Sequence, residues 1–357
     1  MSVPDTKTVL ITGCSKHGIG ASLALRLADQ GHRVFATARD PRRMPSRVRE
    51  HPNVTPLALD VTDEASVRAA SKAVRAAGAR AALDVLVNNA GAGCTMPLLD
   101  LDVARAKQCH DVNVWGPVRM VQAFSDLLIA SRGRVVNIGA AEGCLYSPWI
   151  GAYSASKSAL HTISETLRME LQPFGVTVAC LVTGTVATRF HANEGDFSLP
   201  PASLYADIAD TISLWARGAV GPDQGTVDDY VTQILPDVLA DSRGGKLWRG
   251  ANAGAAWFAA TWLPYYILDK LVVLNHGLDK LTRSILQKKT QETLDTFHAD
   301  LDTEKDDTRP TSCTVTEALI PVSRLDQKPD AMAAGGNVPI LQFRSRVLRK
   351  FPFRTWT

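Results

Sequence analysis

The sequence predicts an α/β chain: a parallel sheet doubly wound by helices, in a single domain followed by a helical extension. Three observations carry this. Short apolar runs alternate with alanine- and leucine-rich stretches of helical period from near the start to about residue 185. The runs are apolar throughout rather than every second residue, as in strands buried on both faces. The first run also passes through a glycine-rich turn into a helix, which opens a β-α-β series.

Taken in order, strands are expected at 8–12, 33–38, 55–59, 83–88, 133–138 and 176–182. Helices are expected at 19–30, 64–77, 112–131 and 153–172. Residues 189–225 hold Gly195, Pro200, Pro201, Gly221 and Pro222 and are read as a mobile insert, with a helix resuming at 226–240. The run 254–274 is apolar from Ala255 to Leu268 but is interrupted by Pro264 and closed by Asp269 and Lys270. A spanning helix needs about 20 apolar residues, so this run is short. Trp257, Trp262, Tyr265 and Tyr266 suit a membrane interface. The alternatives are a helix over a substrate pocket or a dimer contact. From residue 276 an amphipathic helix is expected, with Leu278, Leu281, Ile285 and Leu294 near one face.

The 357 residues therefore divide into 1–250 as the sheet domain, 251–300 as a hydrophobic and amphipathic extension, and 301–357 as a tail without packed structure. A composition 45% hydrophobic and 21% charged excludes disordered, collagenous and coiled-coil classes. The net charge of +3 gives no reason to expect a nucleic-acid partner. Basic residues crowd the tail at Arg344, Arg346, Arg349, Lys350 and Arg354, to meet anionic lipid or solvent. Cys14, Cys94, Cys109, Cys144, Cys180 and Cys313 are scattered, which argues against disulfides and a zinc site; no metal is expected. The first residues lack a secretory pattern, so a reducing, cytoplasm-facing location is the default.

The chemistry-bearing residues sit where strands end. Gly13, Ser15, Lys16, Gly18, Ile19 and Gly20 form the turn after the first strand, where backbone N–H groups and the helix N-terminus favour a pyrophosphate. Arg39 ends the second strand and suits a 2′-phosphate, helped by Lys16 and by Arg42 or Arg43. Asp40 next to it would instead suit a free ribose. Asp60 and Val61 follow the third strand, and Asn89, Ala90 and Gly91 follow the fourth. Tyr153 and Lys157 stand one helical turn apart. An ammonium beside a phenol lowers its pKa from about 10, making Tyr153 a proton donor to a carbonyl oxygen receiving hydride.

Together, TGCSKHGIG, NNAG, Asn113 and YSASK resemble the short-chain dehydrogenase/reductase family over about residues 5–250. The resemblance implies a Rossmann-like NADPH/NADP+ oxidoreductase with Asn113, Tyr153 and Lys157 catalytic, acting on a small-molecule carbonyl or alcohol. It also places Val186 and Thr188 at the nicotinamide end, with Thr183 where the family usually has proline. The A-x-A-R strand end, the segment after the sixth strand, Trp248-Arg249-Gly250 and WLPYYILDK are most similar to the fungal 1-acyldihydroxyacetone-phosphate reductase branch. That branch implies ketone reduction on a hydrophobic or acylated substrate, at an endoplasmic reticulum or lipid-droplet surface, with self-association as a further partner expectation. Related activities include secondary-metabolite tailoring of polyketides or terpenoids.

Two departures stand out. The glycine loop is one residue longer than TGxxxGxG, with His17 where the shorter pattern has glycine. The family serine, thirteen residues before the tyrosine, is Ala140, and its neighbour is Gly139. Losing such a donor costs roughly 10²–10³ in rate, about 3–4 kcal/mol. Cys144 and Ser147 are the nearby groups that could replace it, and a cofactor-binding protein with weakened catalysis is the alternative.

Overall fold

Seven parallel strands build one sheet in the order β3-β2-β1-β4-β5-β6-β7. They are β1 Thr8–Ile11, β2 Arg33–Ala38, β3 Val54–Ala58, β4 Val85–Asn88, β5 Arg134–Ile138, β6 Thr177–Thr183 and β7 Gly245–Arg249. This computed structural model describes residues 6–77, 82–241 and 244–306, with side chains as far as 299. The tail 307–357, with Cys313 and the five basic residues, lies outside the described residues.

Strand residues are apolar in succession because each face of the sheet is covered. Val9 and Ile11 of β1 pack with α1 (Ile19–Asp29) and with a later helix that carries Tyr230, Ile234 and Val238. Leu10 between them packs on the opposite side with Phe124, Leu127 and Val74. The chain winds outward from β1 to β3, then returns to β4 beside β1 and winds the other way. The C-terminal ends of β1 and β4 flank this switch point, where an open α/β sheet leaves a crevice for ligands.

The helices follow as α2 Ser46–Arg49, α3 Glu64–Ala77, α4 Val103–His110, α5 Gly116–Ser131 and α6 Gly151–Leu171. The single helix expected at 112–131 starts earlier. α4 and α5 are joined by a π-helical turn, Asp111–Trp115, that contains Asn113. Such an extra residue per turn re-aims a side chain and is frequent at functional sites.

β7 was not anticipated. It is an edge strand reading GKLWR, and its charged residues hide the apolar run that marked the central strands. Arg249 in it is forked onto Asp237, at 2.6 and 3.0 Å.

The insert at 189–225 contains two short 3-10 turns and α7 Ala209–Ala216. α8 Val227–Leu239 is capped by Thr226, whose hydroxyl accepts from the Asp229 N–H. Pro264 ends α9 (Ala253–Trp262) and caps α10 (Tyr265–Val272). Among the described residues no helix is long and apolar enough to cross a membrane. Trp257, Phe258, Trp262, Tyr265 and Tyr266 are all exposed.

α11 runs Leu278–Asp306. Its apolar stripe is used only at the start. Leu281 joins Trp149, Ile208 and Ile212 in a small core, while Ile285 and Leu286 stay exposed. By contacts the chain divides into two units, 1–293 and 294–357.

Candidate active site

The turn from β1 into α1 is closed by β4. Thr12 Oγ accepts the N–H groups of Asn89 (3.0 Å) and Ala90 (2.9 Å). The Asn89 side-chain amide donates to the carbonyls of Thr12 (2.7 Å) and Gly13 (3.1 Å). So tight a turn leaves no room for side chains. A Cβ on Gly13, which has φ +76°, would fall 2.9 Å from Ala90 Cα. One on Gly20 would fall 2.5 Å from Asn89 Nδ2 and 2.9 Å from the Gly13 carbonyl. The longer loop is accommodated at His17, which adopts φ 62°, in the left-handed region glycine favours. Gly18 caps α1 without a side-chain hydrogen bond, so the first-turn N–H groups are left for a ligand.

This turn borders a cavity of about 710 Å³. Every predicted site residue lines it except Gly20 and Asn113. Gly20 sits behind the loop, buried, and its role is close packing. Asn113 is completely buried. Its amide oxygen accepts from the Ala92 N–H at 2.8 Å, while its NH₂ donates to the Ala92 carbonyl (2.8 Å) and to Ser156 Oγ (2.9 Å). Asn113 thus fixes the chain after Gly91 and ties it to α6; here it is a positioning residue and not a group facing a reactant.

At the outer end, Lys16, Arg39 and Arg43 line the cavity and Asp40 does not. Asp40 accepts from the Arg42 backbone N–H and is forked by the Arg42 guanidinium at 3.0 and 3.1 Å. These contacts hold its carboxyl below the usual carboxylate range. Arg39 thus lines the cavity, while Asp40 is paired with Arg42 outside it. Asp60, further in, accepts from the N–H and hydroxyl of Thr62, at 2.9 and 2.7 Å.

The reactive end belongs to α6. Lys157 Nζ donates to the Ile138 carbonyl at 2.9 Å and stands 5.8 Å from the centre of the Tyr153 ring. An ammonium has three donors, so two remain for ribose hydroxyls. Burial lowers the Lys157 pKa. The Tyr153 phenol shifts opposite to the sequence expectation: burial, then the charges of Glu142, Cys109 and Glu194, push it well above its ordinary value. The phenol is therefore held protonated in the cofactor-free protein.

Other groups around Tyr153 carried no motif. His161 lies two helical turns beyond Tyr153 on the same face and is buried. Its Nε2 accepts from the Ala140 N–H at 3.3 Å, and its Nδ1 lies 3.6 Å from Cys144 Sγ. Burial depresses its pKa to about 3. Gly139 and Gly143 are glycines for this reason, since a Cβ on either would strike the imidazole at 2.5–2.6 Å.

Phe190 packs on Tyr153 with ring centres 5.3 Å apart. Glu194, only 6% exposed, accepts from the Thr95 N–H at 2.8 Å and lies 3.7 Å from Arg105. These contacts latch the first part of the insert over the cavity. A spacing of i+8 from Tyr153 was the available signal for His161; the latch had none, because it joins residues about a hundred positions apart.

Thr183 puts its hydroxyl 2.6 Å from that of Tyr230, a pairing that anchors the start of the Val186–Thr188 segment. Five described cysteines are free, and no metal-binding cluster occurs among the described residues.

Residues 7–198 match the family described as short chain dehydrogenase. The chain is 40% identical over 274 residues to the short-chain dehydrogenase ptmH of Penicillium ochrochloron, spanning 77% of this chain and 99% of that protein. It is 41% identical over 256 residues to the NADPH-dependent 1-acyldihydroxyacetone phosphate reductase of Schizosaccharomyces pombe, spanning 70% of this chain and 85% of that one. Among solved structures, a short-chain dehydrogenase from Streptomyces avermitilis superposes with a TM-score of 0.62 at 26% identity, over 80% of this chain and 100% of that one.

Proposed function

The chain belongs to the short-chain dehydrogenase family of oxidoreductases, and on that footing we propose that it is an NADPH-dependent reductase of a ketone on a hydrophobic or acylated molecule. The observation that carries this reading is the Tyr153 phenol, held protonated in the cavity wall together with Lys157. A reduction needs a proton donor beside the carbonyl, and a protonated phenol in that wall can supply it.

The glycine cradle and the uncapped start of α1 fit a pyrophosphate. The dihydronicotinamide supplies a hydride when bound. Gly91 leaves the approach to Lys157 open: a Cβ there would occupy space 3.8 Å from Lys157 Nζ. Tyr153 holds the proton at its Oη, Lys157 orients the ribose hydroxyls, and Phe190 helps exclude water. For the substrate, Arg189 lines the same cavity beside Phe190 and Ile150, and Arg105 and His191 line it next to Glu194, so Arg189 is the cation left for an anionic group. This supports a phosphorylated acyl ketone such as 1-acyldihydroxyacetone phosphate. A polyketide or terpenoid ketone is the second reading, since Phe190 and Ile150 in the cavity wall also suit an uncharged apolar substrate. NADPH oxidation with both classes of ketone tests the function, and absence of turnover with every ketone would sink it.

The preference for the phosphorylated cofactor rests on Arg39 and Arg43. Replacing both by alanine is expected to weaken NADPH about 10–100-fold, as for lost charge-assisted hydrogen bonds, and to leave NADH unchanged. Equal losses for the two nucleotides, in a fluorescence titration, would remove that assignment.

For location we propose peripheral contact with lipid through Trp257, Phe258, Trp262, Tyr265 and Tyr266, none of which lines the cavity. Co-sedimentation with anionic phospholipid vesicles is expected, and Trp257→Ser with Trp262→Ser should abolish it. Equal pelleting of the variant would refute the contact.

A further inference from the structure

β5 ends at Ile138, and the chain then passes through Gly139 and Ala140 into a 3-10 turn, Ala141–Gly143, centred on Glu142. Ala140 occupies the position of the family serine and brings only a methyl group to the cavity. The neighbours best placed in sequence to replace a hydroxyl donor are committed elsewhere. Cys144 Sγ faces His161 Nδ1, and Ser147 Oγ lies 3.0 Å from His276 Nε2. Neither lines the cavity. Glu142 does, in the same wall as Ala140, Tyr153 and Lys157. The 3-10 turn itself is held firmly, because the Ala140 N–H donates to buried His161 and the Gly143 N–H to the Ala140 carbonyl at 3.0 Å.

We propose that Glu142, in its protonated form, is a catalytic residue that donates a hydrogen bond to the substrate carbonyl oxygen in place of the absent serine. The proposal rests on the ketone-reductase reading above. In the step, a hydride that bound NADPH would supply, itself becoming NADP+, adds to the carbonyl carbon as the C=O π bond breaks, and the Tyr153 O–H bond breaks as its proton passes to the oxygen. Glu142 polarises that oxygen and keeps its own proton. Solvent then reprotonates the Tyr153 phenolate.

The groups facing Glu142 are Tyr153 and Lys157 of α6 and Cys144 on its own loop. Burial raises its carboxyl pKa against the opposing pull of its own backbone N–H and of Lys157. Desolvation is the same device that keeps other active-site carboxylic acids neutral so that they can donate. The sign follows directly: the donor is present below the Glu142 pKa, and the rate falls as pH rises through it. The phenol limb lies at higher pH, because the Tyr153 shift starts from a higher ordinary value and runs upward.

The test uses the full chain with NADPH and phenanthrenequinone as the carbonyl probe. Glu142→Ala is expected to lower kcat about 10²–10³-fold, the usual effect of removing one oxyanion donor, with KM for NADPH unchanged. Glu142→Gln keeps an N–H donor, so it should retain most activity and lose the Glu142 limb of the pH profile. Adding Ala140→Ser to Glu142→Ala should restore turnover. In the cofactor-free protein, the infrared difference between wild type and Glu142→Gln should show a neutral carboxylic acid at pH 7. The proposal is overturned if Glu142→Ala turns over like wild type while Tyr153→Phe is inactive, if Ala140→Ser restores nothing, or if the carboxyl is ionised. A wild type inactive on every carbonyl defeats the reductase reading itself, and this proposal with it.

Discussion

Replacing Tyr153 by phenylalanine is expected to reduce kcat by about 10²–10⁴-fold, the range for a positioned general acid, while nucleotide binding stays within a few-fold of wild type. The substitution removes one oxygen and keeps the ring that packs on Phe190. Protein stability should hardly change, because burial already holds the phenol neutral. NADPH oxidation and nucleotide titration on the same preparation separate the two effects. Unchanged turnover would mean that the proton comes from elsewhere; a parallel loss of nucleotide binding would mean that the hydroxyl serves binding and not proton transfer.

Gly13→Ala is expected to be strongly damaging to both stability and nucleotide binding. Two independent costs meet there. A side chain at φ +76° costs about 1–2 kcal/mol. Forcing a Cβ to 2.9 Å from Ala90 Cα, a backbone atom held by the Thr12 hydroxyl, adds about 1–3 kcal/mol of overpacking. The sum of about 2–5 kcal/mol should appear as a lowered urea midpoint, together with loss of nucleotide binding. His17→Gly makes the informative contrast, because it introduces glycine at a position already in the left-handed region and should preserve both. A Gly13→Ala protein with wild-type stability would show that the Thr12–Asn89–Ala90 staple yields easily.

Much of this was legible in the residues because the relevant physics is local. A strand buried on both faces must be apolar throughout, so β1, β2, β4, β5 and β6 could be read. The pair Tyr153 and Lys157 is a property of one helix, and it remains together in the cavity wall. What escaped reading depends on contacts across the fold. β7 carries two charged residues among its five and gains its place only by pairing with β6. That Arg39 lines the cavity and Asp40 pairs with Arg42 depends on side-chain packing at the strand end, which no motif encodes. Asn113 was named through the family resemblance, and its partner, the Ala92 backbone, is set by the π-helical turn and not by any local pattern. The fall expected in the Tyr153 pKa considered Lys157 alone; burial of the phenol outweighs it. Glu142 passed unnoticed because a carboxylate beside a missing serine belongs to no motif, and only its place in the wall gives it a role.

The most direct test of the central claim is transfer of label from NADPH deuterated at the nicotinamide C4 to a ketone in a single turnover. With 1-acyldihydroxyacetone phosphate or a polyketide ketone as acceptor, the account predicts deuterium at the new carbinol carbon with wild type and none with Tyr153→Phe. Tight NADPH binding with no deuterium in any product would contradict it.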